Sequence, residues 1–159
     1  MRFVIAILLL FLSSCSSGDE TAHIRNIIEK GASFAESHDI KSLFKLATND
    51  IVAMPGPHDA RSIKKILFWA FNHYGNFEIH YPRPLITFND GKKAASATIF
   101  FMLVRKDHKI PGIKELYDDP EKWLKRVSEK ADLYQLELDF VKKAGQWKVK
   151  AAQLARYLK

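Results

Sequence analysis

The spacing of apolar positions divides the chain into a leader, a helical half and a strand-rich half. Phe3 to Leu12 (FVIAILLLFL) is an unbroken apolar run of ten residues behind a single positive charge, Arg2. A membrane-crossing helix needs about 20 such residues, so this length fits the core of a secretion signal. From Asp19 to Ser37 the apolar residues Ile24, Ile27, Ile28, Gly31, Phe34 and Ala35 recur at helical spacing. Asp39 can cap a second, short helix with Ile40, Leu43, Phe44 and Leu46 on its buried side, and Thr48-Asn49-Asp50 breaks it. Ile51 to Met54 predicts a brief strand, closed by Pro55-Gly56-Pro57. A third helix opens at Asp59 and stops at Gly75. Its stripe is Ile63, Ile66, Leu67, Ala70, Phe71 and Tyr74, and Phe68 and Trp69 widen that stripe beyond one packing face.

After Gly75 the period changes to two. Phe77 to Tyr81 alternates, Pro82 and Pro84 interrupt, and Leu85 to Phe88 resumes, which places the interrupted part at a sheet edge or a bulge. Asn89-Asp90-Gly91 is a hairpin turn. Lys93 to Arg105 predicts a long strand with Ala95, Ala97, Ile99, Phe101 and Leu103 on one face. Phe100, Met102 and Val104 make the opposite face apolar towards its end, so that half should be covered on both sides. Residues 106–130 are polar and irregular, with Asp119-Pro120 starting a helix whose apolar side is Trp123, Leu124 and Val127. Two further strands follow, one through Leu136, Leu138 and Phe140, the other through Trp147, Val149 and Ala151, joined at Ala144-Gly145.

The single cysteine changes the picture of the leader. One thiol cannot form an intramolecular disulfide or a zinc site built on several thiolates. Cys15 ends the apolar run as Leu12-Ser13-Ser14-Cys15, which resembles the bacterial lipobox: a leucine, two small residues for the signal peptidase subsite, and a thiol to take the diacylglycerol. The expected organisation is a lipoprotein signal peptide over 1–14, a lipid-anchored tether over 15–20 and one domain over 21–159. Two or three acyl chains give stable anchoring, at roughly 0.8 kcal/mol per buried CH₂. Serine, not aspartate, follows Cys15; by resemblance to enteric sorting signals this points to the periplasmic leaflet of the outer membrane. The formal charge is +7, and losing Arg2 with the leader lowers it by only one. Such a surface favours anionic neighbours such as phospholipid or acidic protein. Nucleic acid is not an expected partner of an exported chain.

The order of helix, short helix, short strand, third helix and strand meander, with three local phrases, resembles the NTF2-like (nuclear transport factor 2-like, SnoaL-type, cystatin-like cone) superfamily. Asp39-Ile40-Lys41-Ser42-Leu43-Phe44 with Asn49-Asp50-Ile51-Val52 is similar to its second helix and first strand. Asp90-Gly91-Lys92-Lys93-Ala94 is similar to its hairpin, and Gly145-Gln146-Trp147-Lys148-Val149 to its terminal phrase, whose tryptophan packs into the core. The resemblance implies an α+β cone: three N-terminal helices packed in a strongly curved antiparallel sheet, here with a helical insert between the long strands. It also implies a cavity at the open end. Members of the superfamily bind small hydrophobic molecules there, isomerise or dehydrate them, or only dimerise through the sheet.

The candidate chemistry is sparse. No two of the seven glycines lie closer than thirteen positions, so no phosphate loop or dinucleotide fingerprint is present, and no cofactor is implied. His38, His58 and His108 each adjoin an aspartate, but adjacent residues point in different directions and make no chelate, so no metal is expected. Enzymes of the resembled superfamily place an Asp, or a His–Asp pair, in the cone as general base. The candidates for that role are Asp50, His73, His80, Asp132 and Asp139, and none is assigned as catalytic. The aromatic set is the stronger lead, with Phe34, Trp69, His73, Phe101, Trp123 and Tyr134 as candidate pocket residues. The 106–130 insert is placed over the mouth as a lid.

The chain thus reads as a lipid-anchored envelope protein with a non-enzymatic binding domain for a small hydrophobic ligand or an envelope protein. An isomerase or dehydratase using the same cavity, and a sheet-mediated homodimer, are the alternatives. Cys15→Ser should abolish acyl labelling and detergent-phase partitioning; labelling that persists in the variant would refute the lipoprotein assignment.

Overall fold

In a computed structural model, residues 17–107, 131–156 and a few positions between them (112, 118, 119, 122 and 125–127) are described. Cys15 and the 1–14 leader lie outside these residues. Three helices come first: α1 (Ser17–Glu36), α2 (Ile40–Lys45) and, after strand β1 (Ala47–Met54), α3 (Ala60–Tyr74). Then follow β2 (Phe77–His80), β3 (Leu85–Phe88), β4 (Ala94–Arg105), β5 (Ala131–Lys143) and β6 (Gln146–Arg156). Ser17 and Gly18, expected in the tether, are the first two residues of α1.

The helix boundaries follow the capping chemistry. Asp39 and Asp59 each accept a hydrogen bond from the backbone N–H three residues on, Ser42 at 2.9 Å and Ser62 at 2.8 Å. Hydrogen bonds from Ser42, side chain then backbone, hold the Asp39 carboxyl below the usual aspartate range, and those from Ser62, backbone then side chain, do the same for Asp59. Gly75 ends α3 at φ 62°, a conformation that glycine adopts without steric cost, and its N–H reaches Phe71 O. His38 turns α1 into α2 with a left-handed φ of 58°, lies flat on Phe71 at 5.0 Å and contacts Gly75 O at 2.9 Å. The turn between the first two helices is thereby locked to the end of the third.

The six strands form one sheet in the order β1-β6-β5-β4-β2, with β3 also paired to β4. β2 and β3 lie end to end along one edge of β4, separated by the segment holding Pro82 and Pro84, as the proline rule requires. The sheet is mixed rather than wholly antiparallel: β1 runs parallel to β6, with Val52 opposite Ala151. The reason lies in the connectivity, because β1 and β6 meet only after the whole chain has gone round the cone. β1 also starts earlier than expected, so Thr48, Asn49 and Asp50 belong to the strand instead of breaking a helix.

The β5–β6 hairpin turns at Ala144 and Gly145, both at positive φ, which matches the right-handed twist of the strands. Further along, Asp139 pairs with Ala151 and Phe140 with Val149, leaving Lys150 as the extra residue of a β-bulge. The bulge changes which parity faces inward. Trp147 and Val149 point into the core before it, and Ala152 and Leu154 after it, so Ala151 is not the inward residue that simple alternation predicts.

The core lies between α1 and the middle of the sheet, through Ile24, Ile28, Ile51, Ala97, Ile99, Phe140, Trp147 and Val149. On the far side of β4, Val104 is buried within the single chain while Phe100 and Met102 are half-buried. That strand end is therefore covered on both faces, as its sequence suggests. In the insert, Asp119 accepts from Lys122 N at 3.0 Å and Val127 is fully buried, whereas Trp123 and Leu124 lie outside the described residues.

Glu20 joins the start of α1 to the last hairpin. Its carboxylate accepts from the Lys142 ammonium and from the Trp147 indole N–H, and Phe88 lies edge-on to the Trp147 ring at 5.9 Å. The Lys142 bond and then the Trp147 bond hold Glu20 below its ordinary value of 4.5. A lowered carboxyl contributes stability above its unfolded pKa and loses it as pH falls through the folded one. Glu20→Gln should therefore lower the melting midpoint at neutral pH, and the gap to wild type should close as pH drops below about 4.5. Trp147 is only 5% exposed. Trp147→Ala should cost about 3–5 kcal/mol in denaturant unfolding; an unchanged midpoint would show that the ring is not part of the core.

Candidate functional site

The helices do not fill the concave face of the sheet. A cavity of about 410 Å³ is left between them, within the range of small-molecule sites. Its roof is made of small residues. Gly31, Ala32 and Ala35 of α1 face it, and a Cβ built on Gly31 would meet only Leu46 Cδ1, at 3.9 Å. Leu43 and Phe44 of α2, with Ile63, Leu67, Ala70 and Phe71 of α3, form the flanks. The floor is the inward parity of the sheet, Ile99, Phe101 and Leu103 of β4 facing Leu136 and Leu138 of β5 and Ala152 and Leu154 of β6. Among the described lining residues the polar atoms of side chains are the hydroxyls of Tyr74, Tyr81 and Tyr134.

Two of those tyrosines gather at one end. Tyr74, the last residue of α3, donates to Asp132 Oδ2 at 2.7 Å, and its oxygen lies 2.7 Å from that of Tyr134. Asp132 and Tyr134 are two positions apart on β5 and so share a face. Asp132 Oδ1 is paired with Arg156, at the end of β6, which the ladder brings opposite Tyr134. The Tyr134 ring stacks on Phe101 at 5.4 Å. Burial first, then the neighbouring Tyr134 and Asp132, pushes the Tyr74 phenol far above its ordinary range, so it stays protonated at any physiological pH. Tyr81 is pushed up as well, by burial and by the carboxylates of Glu29 and Glu36.

Of the six candidate pocket residues, the structure brings two to the cavity, Phe101 and Tyr134. Trp69 is 72% exposed on the outer face of α3, edge-on to the exposed Phe68. Ile63, Leu67, Ala70, Phe71 and Tyr74 already complete the inward arc of that helix, and Trp69 follows Leu67 by two residues, about 200° away. Ile66, also expected in the stripe, is half exposed for the same reason. His73 is exposed, with its ring edge-on to Tyr74 at 5.1 Å. Phe34 is half-buried at the end of α1, off the lining, and Trp123 lies outside the described residues.

The candidate bases separate similarly. Asp50 is exposed on β1 and pairs with Lys143 at 3.7 Å; His80 is exposed beside Glu78 at 3.4 Å; Asp139 is exposed and accepts from Ser96 at 2.7 Å. Only Asp132 is bonded to a residue of the cavity. The described residues hold no cluster of three or more metal-ligating side chains, and none of their helices is long and apolar enough to cross a membrane.

The sequence reading missed the Tyr74–Asp132–Arg156 connection and the small-residue roof. The second had a signal, since Gly31, Ala32 and Ala35 share one turn of an otherwise bulky stripe. Gly31→Ala tests it. The added methyl meets no close atom, and alanine is the better helix former by about 0.5–1 kcal/mol. The melting midpoint should rise; a fall would mean that α1 packs too tightly there to leave a cavity.

No family model matches the sequence, and no curated protein matches it. Solved structures do. A scytalone dehydratase-like protein of Novosphingobium aromaticivorans superposes with a TM-score of 0.64 at 17% identity, over 88% of this chain and 85% of that one. An NTF2-like protein of unknown function from Pseudomonas putida gives 0.67 at 13%, over 90% and 98%. A ketosteroid isomerase-like protein of Erwinia carotovora gives 0.62 at 15%, over 89% and 98%. At these identities the likeness is one of fold. The domain has the NTF2-like, or cystatin-like, fold.

Proposed function

We propose that this domain binds a small, largely apolar molecule in its cone, as a lipid-anchored protein of the bacterial envelope. The observation that carries the binding reading is the 410 Å³ cavity, lined by aliphatic and aromatic side chains and left open in volume by Gly31, Ala32 and Ala35. Apolar burial supplies affinity at about 25 cal/mol per Å² of surface, and the hydroxyls at one end supply orientation. The anchor rests on the Leu12-Ser13-Ser14-Cys15 sequence, and the partner it supplies is the membrane itself.

A second reading, proton-transfer catalysis of the isomerase or dehydratase kind, draws on the scytalone dehydratase-like and ketosteroid isomerase-like neighbours and on Asp132 beside the cavity. Asp132 is a poor base where it stands. Its two oxygens are taken up by Arg156 and Tyr74, and it is not itself a lining residue of the cavity. Tyr74, held protonated, can donate a hydrogen bond but supplies no base. Among the described residues no histidine or carboxylate lines the cavity itself. Binding without turnover is the reading these groups support best.

Naphthalene, followed by calorimetry, is a suitable first probe. Wild-type protein should bind it one-to-one. Gly31→Leu, which places a branched aliphatic side chain in the cavity, should weaken binding at least tenfold while circular dichroism and the melting midpoint hold. Equal affinity in the two proteins would place the ligand elsewhere and refute the cavity as the site.

A further inference from the structure

The hydroxyl end of the cavity has a direction, fixed by counting protons. Tyr74 has one phenolic hydrogen, and it is donated to Asp132 Oδ2, a carboxylate clamped on its other side by Arg156. The 2.7 Å contact between Tyr74 and Tyr134 therefore needs the hydrogen of Tyr134, because two phenolic oxygens at that distance without a proton between them repel. Both protons of the pair then run towards Asp132. Tyr134, a lining residue of the cavity, then keeps acceptor lone pairs and has no hydrogen left to give. A chain of hydroxyls ending on a charge polarises in this one sense, each bond strengthening the next.

Resting on the cavity-binding reading above, we propose that Tyr134 is an acceptor subsite, so that the ligand class is an apolar molecule carrying one hydroxyl, an alcohol or a phenol. An acceptor-only ligand, such as a ketone or an ether, would have to take the Tyr134 proton and leave the oxygen pair unbridged. A carboxylate would add a second negative charge beside Asp132. Phe101, stacked on the Tyr134 ring at 5.4 Å, fixes the phenol in place and offers an aromatic ligand a surface close to the hydroxyl.

Three probes of matched shape separate the cases: naphthalene, 2-naphthol and 2-methoxynaphthalene, each titrated calorimetrically into the full domain. In wild type, 2-naphthol should bind about tenfold tighter than 2-methoxynaphthalene, the scale of one hydrogen bond. Tyr134→Phe should remove that preference, bringing the 2-naphthol and 2-methoxynaphthalene affinities together. Asp132→Asn is the sharper variant, because its amide can donate to Tyr74, free the Tyr74 proton for Tyr134 and let Tyr134 donate outward. The ratio of naphthol to methoxynaphthalene affinity should then fall towards one, which a purely structural role for Asp132 would not produce, and retained naphthalene binding reports that the site is intact. Equal wild-type affinities for the hydroxyl and the ether, or a preference for the ether, would overturn the subsite while leaving the cavity standing. Failure of all three probes to bind wild type would overturn both.

Discussion

The whole domain answers to one constraint: a strongly curved sheet exposes more apolar concave surface than three helices can cover. β4, β5 and β6 keep an inward apolar parity along most of their length, and α1, α2 and α3 must meet that surface. At the hairpin end they succeed, because Ile24, Ile28, Phe140 and Trp147 interlock and Glu20 ties the helix to the indole. At the other end α1 offers Gly31, Ala32 and Ala35 where bulky side chains would close the gap. Packing elsewhere in a protein interior is dense enough that a void of this size is a feature of the sequence and not slack.

The elements were legible because their signals are local. Capping aspartates, Gly75 and the change of period after it mark where helices stop and strands begin, and the structure follows them closely. Three features were not legible, each for a physical reason. The parallel β1–β6 pairing joins segments about a hundred residues apart, and no local pattern encodes it. The bulge at Lys150 is hidden because Ala151 and Ala152 are both small and apolar, so either parity looks acceptable inward. On α3, Phe68 and Trp69 stand next to a stripe that is already complete, and an aromatic residue in a sequence does not say which side of the helix it takes. The site inherited these gaps. Phe101 was legible as an inward strand residue and Tyr134 as one of the aromatic set, whereas Trp69 and His73, aromatics of α3, lie off the lining.

The hydroxyl end shows the same limit in reverse. Asp132 and Tyr134 share a strand face with Leu136 and Leu138, so a carboxylate on an inward parity was readable as an anomaly. What it does was not, since Tyr74 and Arg156 reach it from another helix and another strand. Those partners decide the chemistry. A carboxylate whose two oxygens are taken by a guanidinium and a phenol is an anchor for a chain of oriented hydroxyls.

The two ends of the cone also have different neighbours. Glu20 fixes the start of α1 against Lys142 and Trp147, whereas Tyr134 sits eight residues back along β5, roughly 27 Å away at strand rise. With Cys15 acylated as proposed, the short stretch before Ser17 would hold the hairpin end near the bilayer and turn the tyrosine end away from it. On that proposed arrangement the membrane serves as an address, and Tyr74, Tyr134 and Asp132 belong to the end of the cone that lies away from the anchor.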